Sequence, residues 1–237
     1  MRTGTATGVE PDAVPDFGSE GLHPALVQLR RQALARAGLN EAPVRMRRLG
    51  LGPRLAVAFS HAASPPVMAA VSFVLLASTL PGTRPWAWTG AHVAVAVLFP
   101  LGALVVMHRR GEVRDLELTR RDQRTAPLLL TLLCAGLSLF AQAIGGAPAP
   151  LVSLAVAWTA LVLALLVVTR RWKISVHTAG LAVAGALLWK LHGSPAWLLA
   201  GVTALGTARV VLGRHTVAQV VAGALLGATA VIFLVAA

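Results

Sequence analysis

The sequence predicts an all-α protein, a polytopic integral membrane bundle of six to seven transmembrane helices. Hydrophobic residues make up 56% of the 237-residue chain and charged residues only 13%, whereas soluble domains average about 25% charged residues. After residue 54 the chain consists of apolar runs, each close to the roughly 20 residues that a helix needs to cross the hydrocarbon. The runs lack the alternating pattern of membrane β-barrel strands, which favours a helical bundle.

Two regions are predicted. Residues 1–54 form a cytoplasmic, polar and basic N-terminal tail, and residues 55–237 form the transmembrane bundle. Residues 23–38 fit a short amphipathic helix, with Pro24 near its first position and Gly38 after its end. A partly ordered tail is the alternative interpretation of this segment.

Seven apolar runs follow the tail, and the sequence HAASPP at 61–66 interrupts the first of them. Proline inside a membrane helix is tolerated where neighbouring groups satisfy the freed carbonyl. We place the runs at residues 57–80, 87–108, 126–144, 149–169, 175–192, 195–213 and 215–236.

The basic residues fall mostly on one side of such a bundle. With seven spans, the tail and the loops after runs two, four and six hold 8, 6, 3 and 2 Lys or Arg residues, and the other side holds only Arg84 and Lys190. Positively charged loops stay in the cytoplasm, so we expect a cell-membrane protein whose N-terminus and polar junctions are cytoplasmic. With six spans the two sides would carry 11 and 10 basic residues, so the asymmetry favours seven.

Composition excludes several other classes of protein. The net charge is +12, but the basic residues lie between apolar runs and form no solvated stripe, so we expect no nucleic acid partner. The chain has no tyrosine and 5% aromatic residues, which disfavours a stacking surface for single strands. Cys134 is the single cysteine, which excludes an internal disulfide and a multi-cysteine metal site.

Three polar junctions carry the candidate chemistry. They are the loop at 109–127, the segment RRWKISVH at 170–177 and the segment RVVLGRHT at 209–216. A two-helix hairpin separates each junction from the next, so all three should emerge on one face of the membrane. The candidate residues on that face are Arg120, Arg121, Arg124, Lys173, Ser175, His177, Arg209 and His215.

These residue types together predict a phosphate-transfer site. Guanidinium groups grip phosphoryl oxygens with two parallel hydrogen bonds, and the free N–H groups at a helix start attract anions. One histidine can attack phosphorus while another protonates the leaving oxygen. Taken singly, the arginines also fit topology signals, Ser175 fits a helix N-cap and either histidine fits an interfacial residue. We interpret four further histidines as interfacial residues without a role in the site: His61, His92, His108 and His192.

The order and spacing of these residues resemble the type 2 phosphatidic acid phosphatase (lipid phosphate phosphatase) superfamily, which includes vanadium haloperoxidases. Its motifs are Lys-x6-Arg-Pro, Pro-Ser-Gly-His and Ser-Arg-x5-His-x3-Asp. The third appears here as Ala208-Arg209, five residues, His215, three residues and Gln219. The second appears as Ile-Ser175-Val-His177, and the first, the poorest, as Glu117, six residues and Arg124. The resemblance covers residues 55–236.

The resemblance implies a role for each matched residue. His215 would be the nucleophile that forms a phosphohistidine, and His177 the acid for the leaving alcohol and then the base for water. Arg124, Arg209 and the Ser175 region would hold the phosphate oxygens. No metal and no cofactor are implied.

Two positions depart from the family pattern. Glu117 stands where the family has lysine, so Lys173, with Arg120 or Arg121, would supply that charge instead. Gln219 stands where the family has aspartate. It shares a helix face with His215, and its amide oxygen can accept the imidazole N–H but cannot stabilise developing positive charge as a carboxylate does.

The sequence thus predicts a metal-independent phosphatase that acts on a lipid phosphate or isoprenyl (di)phosphate, with membrane lipids as its surroundings. A lyase or cyclase that removes diphosphate from an isoprenyl chain at the same site is one alternative. A non-catalytic lipid-phosphate binder or transporter is another. The substrate's chain length and the oligomeric state stay open.

Overall fold

The computed structural model describes residues 51–235; the predicted helix at 23–38 lies outside them. Of the described residues 79% are helical and none forms a strand, which confirms the all-α prediction for this part of the chain. The helices are α1 (Leu51–Ala62), α2 (Pro65–Ser78), α3 (Arg84–Arg109), α4 (Thr125–Ile144), α5 (Ala149–Thr169), α6 (Val176–His192), α7 (Ala196–Val211) and α8 (Val217–Leu234).

Helix length and composition identify the candidate membrane spans. Four of the described helices are long and apolar enough to cross a membrane, namely α3, α4 with the turn before it, α5 and α8. The α1–α2 pair passes the same test as one bent span, which makes five. Helices α6 and α7 are shorter, with 17 and 16 residues.

The first apolar run is broken where the sequence predicts an interruption. The axes of α1 and α2 differ by 52°, and Ser64 between them is extended, with ψ 151°. Pro65 and Pro66 begin α2. Because proline lacks an N–H and disfavours a helical residue before it, one helix must stop and a new one start. The bend lets α1 lean against α7.

Helix α6 lies at the centre of the bundle and packs against α8, α7 and α2. Ten of its 17 residues are buried. Its closest neighbour is α8, where a Cβ added to Gly223 would collide with Ser175 O and a Cβ added to Gly227 would collide with Ala179 O. Glycine therefore permits backbone-to-backbone contact, and this contact sets the start of α6 against the N-terminal half of α8.

Candidate active site

Ser175 forms the start of α6. Its side chain accepts a hydrogen bond from the Thr178 N–H, an N-cap at 3.4 Å, and its own N–H donates to Gln219 O at 3.2 Å. The Thr178 hydroxyl lies 3.1 Å from Ser175 O and 3.2 Å from Val220 O. The N-cap interpretation of Ser175 is therefore correct, and the same residue ties the start of α6 to the first turn of α8.

The start of α8 holds His215 in a defined orientation. Thr216 and Gln219 form a capping box: Gln219 N–H donates to Thr216 Oγ1 at 3.3 Å, and Thr216 N–H donates to Gln219 Oε1 at 3.2 Å. The same Oε1 lies 3.1 Å from His215 Nδ1. Because an amide oxygen only accepts hydrogen bonds, Nδ1 carries the proton and Nε2 keeps its lone pair. The predicted contact between Gln219 and His215 is present.

Arg209, at the end of α7, is a buried cation with an unused donor. Its side chain is 3% exposed, and Nη1 donates to Ser60 Oγ at 2.7 Å and to Glu117 Oε2 at 3.1 Å. Its Nε is buried and has no hydrogen-bond partner among the described residues. A buried N–H without a partner is costly, so this edge of the guanidinium is suited to an incoming oxygen acceptor.

Glu117 supplies the counter-charge to this cation. Besides Arg209, it lies near Arg214, with Nε and Oε2 3.9 Å apart, and near His61, with Nε2 and Oε1 3.8 Å apart. Glu117 thus binds the buried arginine. It also holds Arg209 through Nη1 and leaves the buried Nε without a partner among the described residues.

Arg124 links the loop before α4 to the start of α6. Its Nε donates to Leu118 O at 2.8 Å and its Nη1 to Ile174 O at 3.1 Å. Leu118 adopts a left-handed conformation, φ 50°, which is unusual for a leucine. Arg124 is 3% exposed. Its side chain is therefore buried between the loop before α4 and the start of α6, the two segments that it joins.

Arg120 and Arg121 are exposed and have partners away from these contacts. Arg120 forms an ion pair with Asp122, with Nη2 and Oδ2 2.8 Å apart. Arg121 Nη1 donates to Arg171 O at 2.7 Å. Of the predicted phosphate ligands, these two do not join the buried group.

The charges in the site act on one another. Burial, together with the charges of Arg209 and Lys173, lowers the pKa of His215 to about 3. Burial also lowers the pKa of Lys173 to about 8, helped by the charges of Arg124 and Arg209. His215 is therefore neutral at pH 7, while most of Lys173 is still protonated and can bind an anion.

Hydrogen bonds join the three polar junctions to one another, from Arg124 to Ile174, from Ser175 to Gln219 and from Arg209 to Glu117. His177, in the first turn of α6, is buried and lies within electrostatic range of Arg209, His215 and Arg124. It lines a cavity of about 370 Å³ together with His61, Glu117 and Arg124. Of the predicted site residues, His177 and Arg124 therefore line one end of a cavity between helices, whereas Lys173, Arg209 and His215 are not part of its lining. The described residues contain no group of three or more His, Cys, Asp or Glu side chains that could hold a metal ion.

Sequence reasoning missed three members of this site. Ser60 binds Arg209, His61 approaches Glu117, and Arg214 completes the group of cations. The two prolines after α1 could have predicted the positions of Ser60 and His61, because a helix that prolines interrupt can end inside a bundle. The sequence carries no signal for the pairing of Glu117 with Arg209.

Comparison with known proteins provides no relative. No family model, no curated protein and no solved structure matches this chain.

Proposed function

We propose that the chain is a membrane phosphatase that hydrolyses a lipid phosphate or an isoprenyl diphosphate through a phosphohistidine on His215. The observation that carries the proposal is the buried Arg209 guanidinium, whose Nε has no partner among the described residues. Nε and the adjacent Nη2 form one edge of the guanidinium and match two phosphoryl oxygens. Lys173 and Arg124 add positive charge to the same site.

His215 is suited to be the nucleophile. Its Nδ1 proton is held by Gln219 at 3.1 Å, which leaves the Nε2 lone pair available for attack on phosphorus. The low pKa, about 3, keeps the imidazole unprotonated at neutral pH. Since a protonated imidazole cannot attack, the surrounding cations favour the reactive form.

The proposed reaction has two steps. His215 Nε2 forms a bond to phosphorus as the bond from phosphorus to the leaving oxygen breaks, and His177 donates a proton to that oxygen. For this step His177 takes up a proton when the anionic substrate binds, because the negative charge of the phosphate favours the imidazolium. Water then attacks the phosphohistidine, His177 takes its proton, and the bond from nitrogen to phosphorus breaks to release phosphate. Arg209, Arg124 and Lys173 would stabilise the negative charge on the oxygens in both transition states.

The membrane arrangement that we propose has seven spans. The short helices α6 and α7 would cross together with the four long helices and the bent α1–α2 pair. In that arrangement the site lies on the cytoplasmic face of the cell membrane, as the basic-residue count favours. A lipid headgroup would then reach Arg209 while its chain stays between the helices.

The test is phosphate release by the protein purified in detergent. The substrates are farnesyl diphosphate, a polyprenyl diphosphate and phosphatidate, and the variants are His215→Ala and the matched control His192→Ala, which lies exposed at the other end of α6. We expect turnover by the wild type and the control, and a loss of about 10³-fold or more in His215→Ala.

Full activity in His215→Ala, with unchanged thermal unfolding, would overturn the mechanism. Mass spectrometry of the organic product separates the alternatives. A prenyl alcohol or monophosphate supports hydrolysis, whereas a hydrocarbon supports a diphosphate lyase. Binding without any turnover would indicate a lipid-phosphate binder.

A further inference from the structure

The cavity beside the active-site residues extends into the apolar interior of the bundle. At its polar end it is lined by Glu117, Arg124 and His177. Beyond them the lining includes Val97, Leu161 and Leu165, side chains that are all buried and hydrophobic. A ligand that fills this cavity would therefore join a polar group to a hydrocarbon, and the positive charges beside that end favour an anionic one.

The cavity is open to the side near the polar end and closed at its inner end. Val67 of α2 and Leu101 of α3 line it and are 42% and 36% exposed. The inner lining residues Ala96, Ala135 and Trp158 are at most 7% exposed. A chain could enter from the surrounding lipid between α2 and α3, and its end would meet a closed wall.

The inner end is further closed by a buried polar cluster. His92, which lines the cavity, stacks on Phe73 with ring centroids 3.7 Å apart. Its Nδ1 lies 2.9 Å from Ser138 Oγ and 3.0 Å from Gln142 Nε2. These contacts join α2, α3 and α4 below the cavity, so the wall is a packed and hydrogen-bonded structure.

The depth of this cavity, whose volume is about 370 Å³, gives the length of the chain. Ala135 comes 11 residues after Arg124 in the sequence, or roughly 16 Å along a helix. An extended chain advances about 1.25 Å per carbon, so the depth fits about 13 carbons in line.

We propose that this cavity binds the single hydrocarbon chain, of about 15 carbons, of an isoprenyl diphosphate. The inference rests on the function proposed above, because the phosphate site fixes one end of the chain. The closed inner end lies at a depth that fits one extended chain of this length, whereas a phosphatidate carries two chains. Ala96, Ala135 and Trp158 are then the residues that set the chain length.

The test is a length series of isopentenyl, geranyl, farnesyl and geranylgeranyl diphosphates, with a two-chain phosphatidate for comparison. Turnover is measured as kcat/KM on the wild type, and binding is measured on the wild type and on His215→Ala, which does not turn the substrate over. Contact with a methylene group is worth about fourfold in affinity. We therefore expect farnesyl diphosphate to exceed geranyl diphosphate by tenfold or more, and no further gain with geranylgeranyl diphosphate.

Two variants move the wall in opposite directions. Ala135→Leu fills the inner end and should make geranyl diphosphate the preferred substrate. Trp158→Ala opens it and should move the preference towards geranylgeranyl diphosphate. Ala143→Leu makes the same change as Ala135→Leu at an exposed position of the same helix, and its preference should stay with farnesyl diphosphate.

The possible outcomes separate this inference from the proposed function. Hydrolysis that is equal for all lengths, or an unshifted preference in both wall variants, overturns the inference and leaves the phosphatase intact. Preferred hydrolysis of phosphatidate also overturns it. Length-selective binding that follows the wall variants, without turnover of any substrate, supports the cavity assignment and overturns the phosphatase.

Discussion

Gln219 performs two tasks through one amide oxygen. It accepts the Thr216 N–H at 3.2 Å as part of the helix cap, and it lies 3.1 Å from His215 Nδ1. A neutral amide can orient the imidazole, but it would not stabilise the positive charge that the proposed attack forms there. In a serine protease triad, exchange of the orienting acid for its amide costs about 10⁴ in rate.

Gln219→Glu should therefore increase the rate. Glutamate preserves the length of the side chain and the capping box, and it adds a carboxylate beside Nδ1. We expect kcat to rise by about tenfold or more, measured as phosphate release at pH 7. Gln219→Ala, which lacks both hydrogen bonds, should lower kcat by about the same factor. Equal rates for the Gln, Glu and Ala forms would show that this position does not assist the nucleophile.

We expect Lys173 to make the proposed anion binding dependent on pH. Its pKa is lowered to about 8, so the side chain is charged below that pH and loses its charge as the pH rises through it. A bound anion favours the ammonium, so the midpoint in the complex lies above 8. The affinity for a prenyl monophosphate, whose second ionisation near pH 6 is complete, should fall several-fold between pH 7 and pH 10.

The matched control is Lys173→Arg, because arginine keeps its charge over this range. Its affinity should be independent of pH, as measured by calorimetry on the His215→Ala background. A wild-type affinity that does not change up to pH 10 would exclude Lys173 as a phosphate ligand.

At the level of single residues, local patterns were predictable and distant pairings were not. Gln219 and His215 are four positions apart, so helical geometry alone places them together. Arg209 meets Glu117 and Ser60 across 92 and 149 residues of sequence. Such contacts depend on the bend after α1 and on the loop around Leu118, which no short-range pattern specifies.

At the level of elements, the packing of α8 on α6 sets the geometry of the site. Gly227 contacts the Ala179 backbone so closely that a Cβ would collide with the carbonyl oxygen. Since backbone cannot move aside as a flexible side chain does, Gly227→Ala should lower stability by about 1–3 kcal/mol. The measurement is thermal unfolding in detergent, with activity recorded in parallel.

Gly136→Ala is the control, because Gly136 lies within α4 and a Cβ there would have open space around it. It should be neutral or slightly stabilising, since alanine favours the helix. If both variants unfold at the same temperature as the wild type, close α6–α8 packing does not hold the site.

Helix positions were largely predictable from hydropathy. The run predicted at 149–169 coincides with α5, and the run at 126–144 differs from α4 by one residue at its start. The first run differs, because prolines at 65 and 66 divide it into two helices. Hydropathy detects the apolar character of a segment, but it does not detect the direction in which each half runs.

At the level of the whole molecule, the distribution of basic residues predicts the sidedness of the protein in the membrane. Cys134 is buried, and Cys134→Ala removes the chain's single cysteine. On that background we expect Thr83→Cys to react with an impermeant maleimide in intact cells. Glu112→Cys should react only after permeabilisation. Thr83 and Glu112 are both exposed, but they flank opposite ends of α3, so only one of them should face the outside of the cell. The reverse pattern would place the site outside the cell.

The most direct test of the account is to trap the covalent intermediate. The protein is mixed with ³²P-labelled farnesyl diphosphate, quenched in alkali, where phosphohistidine survives, and digested for mass spectrometry. We expect ³²P label on His215 of the wild type and none in His215→Ala. The label should accumulate in His177→Ala, because this variant cannot activate the water that releases the phosphate. Turnover without label on His215, or label on another residue that persists in His215→Ala, would contradict it.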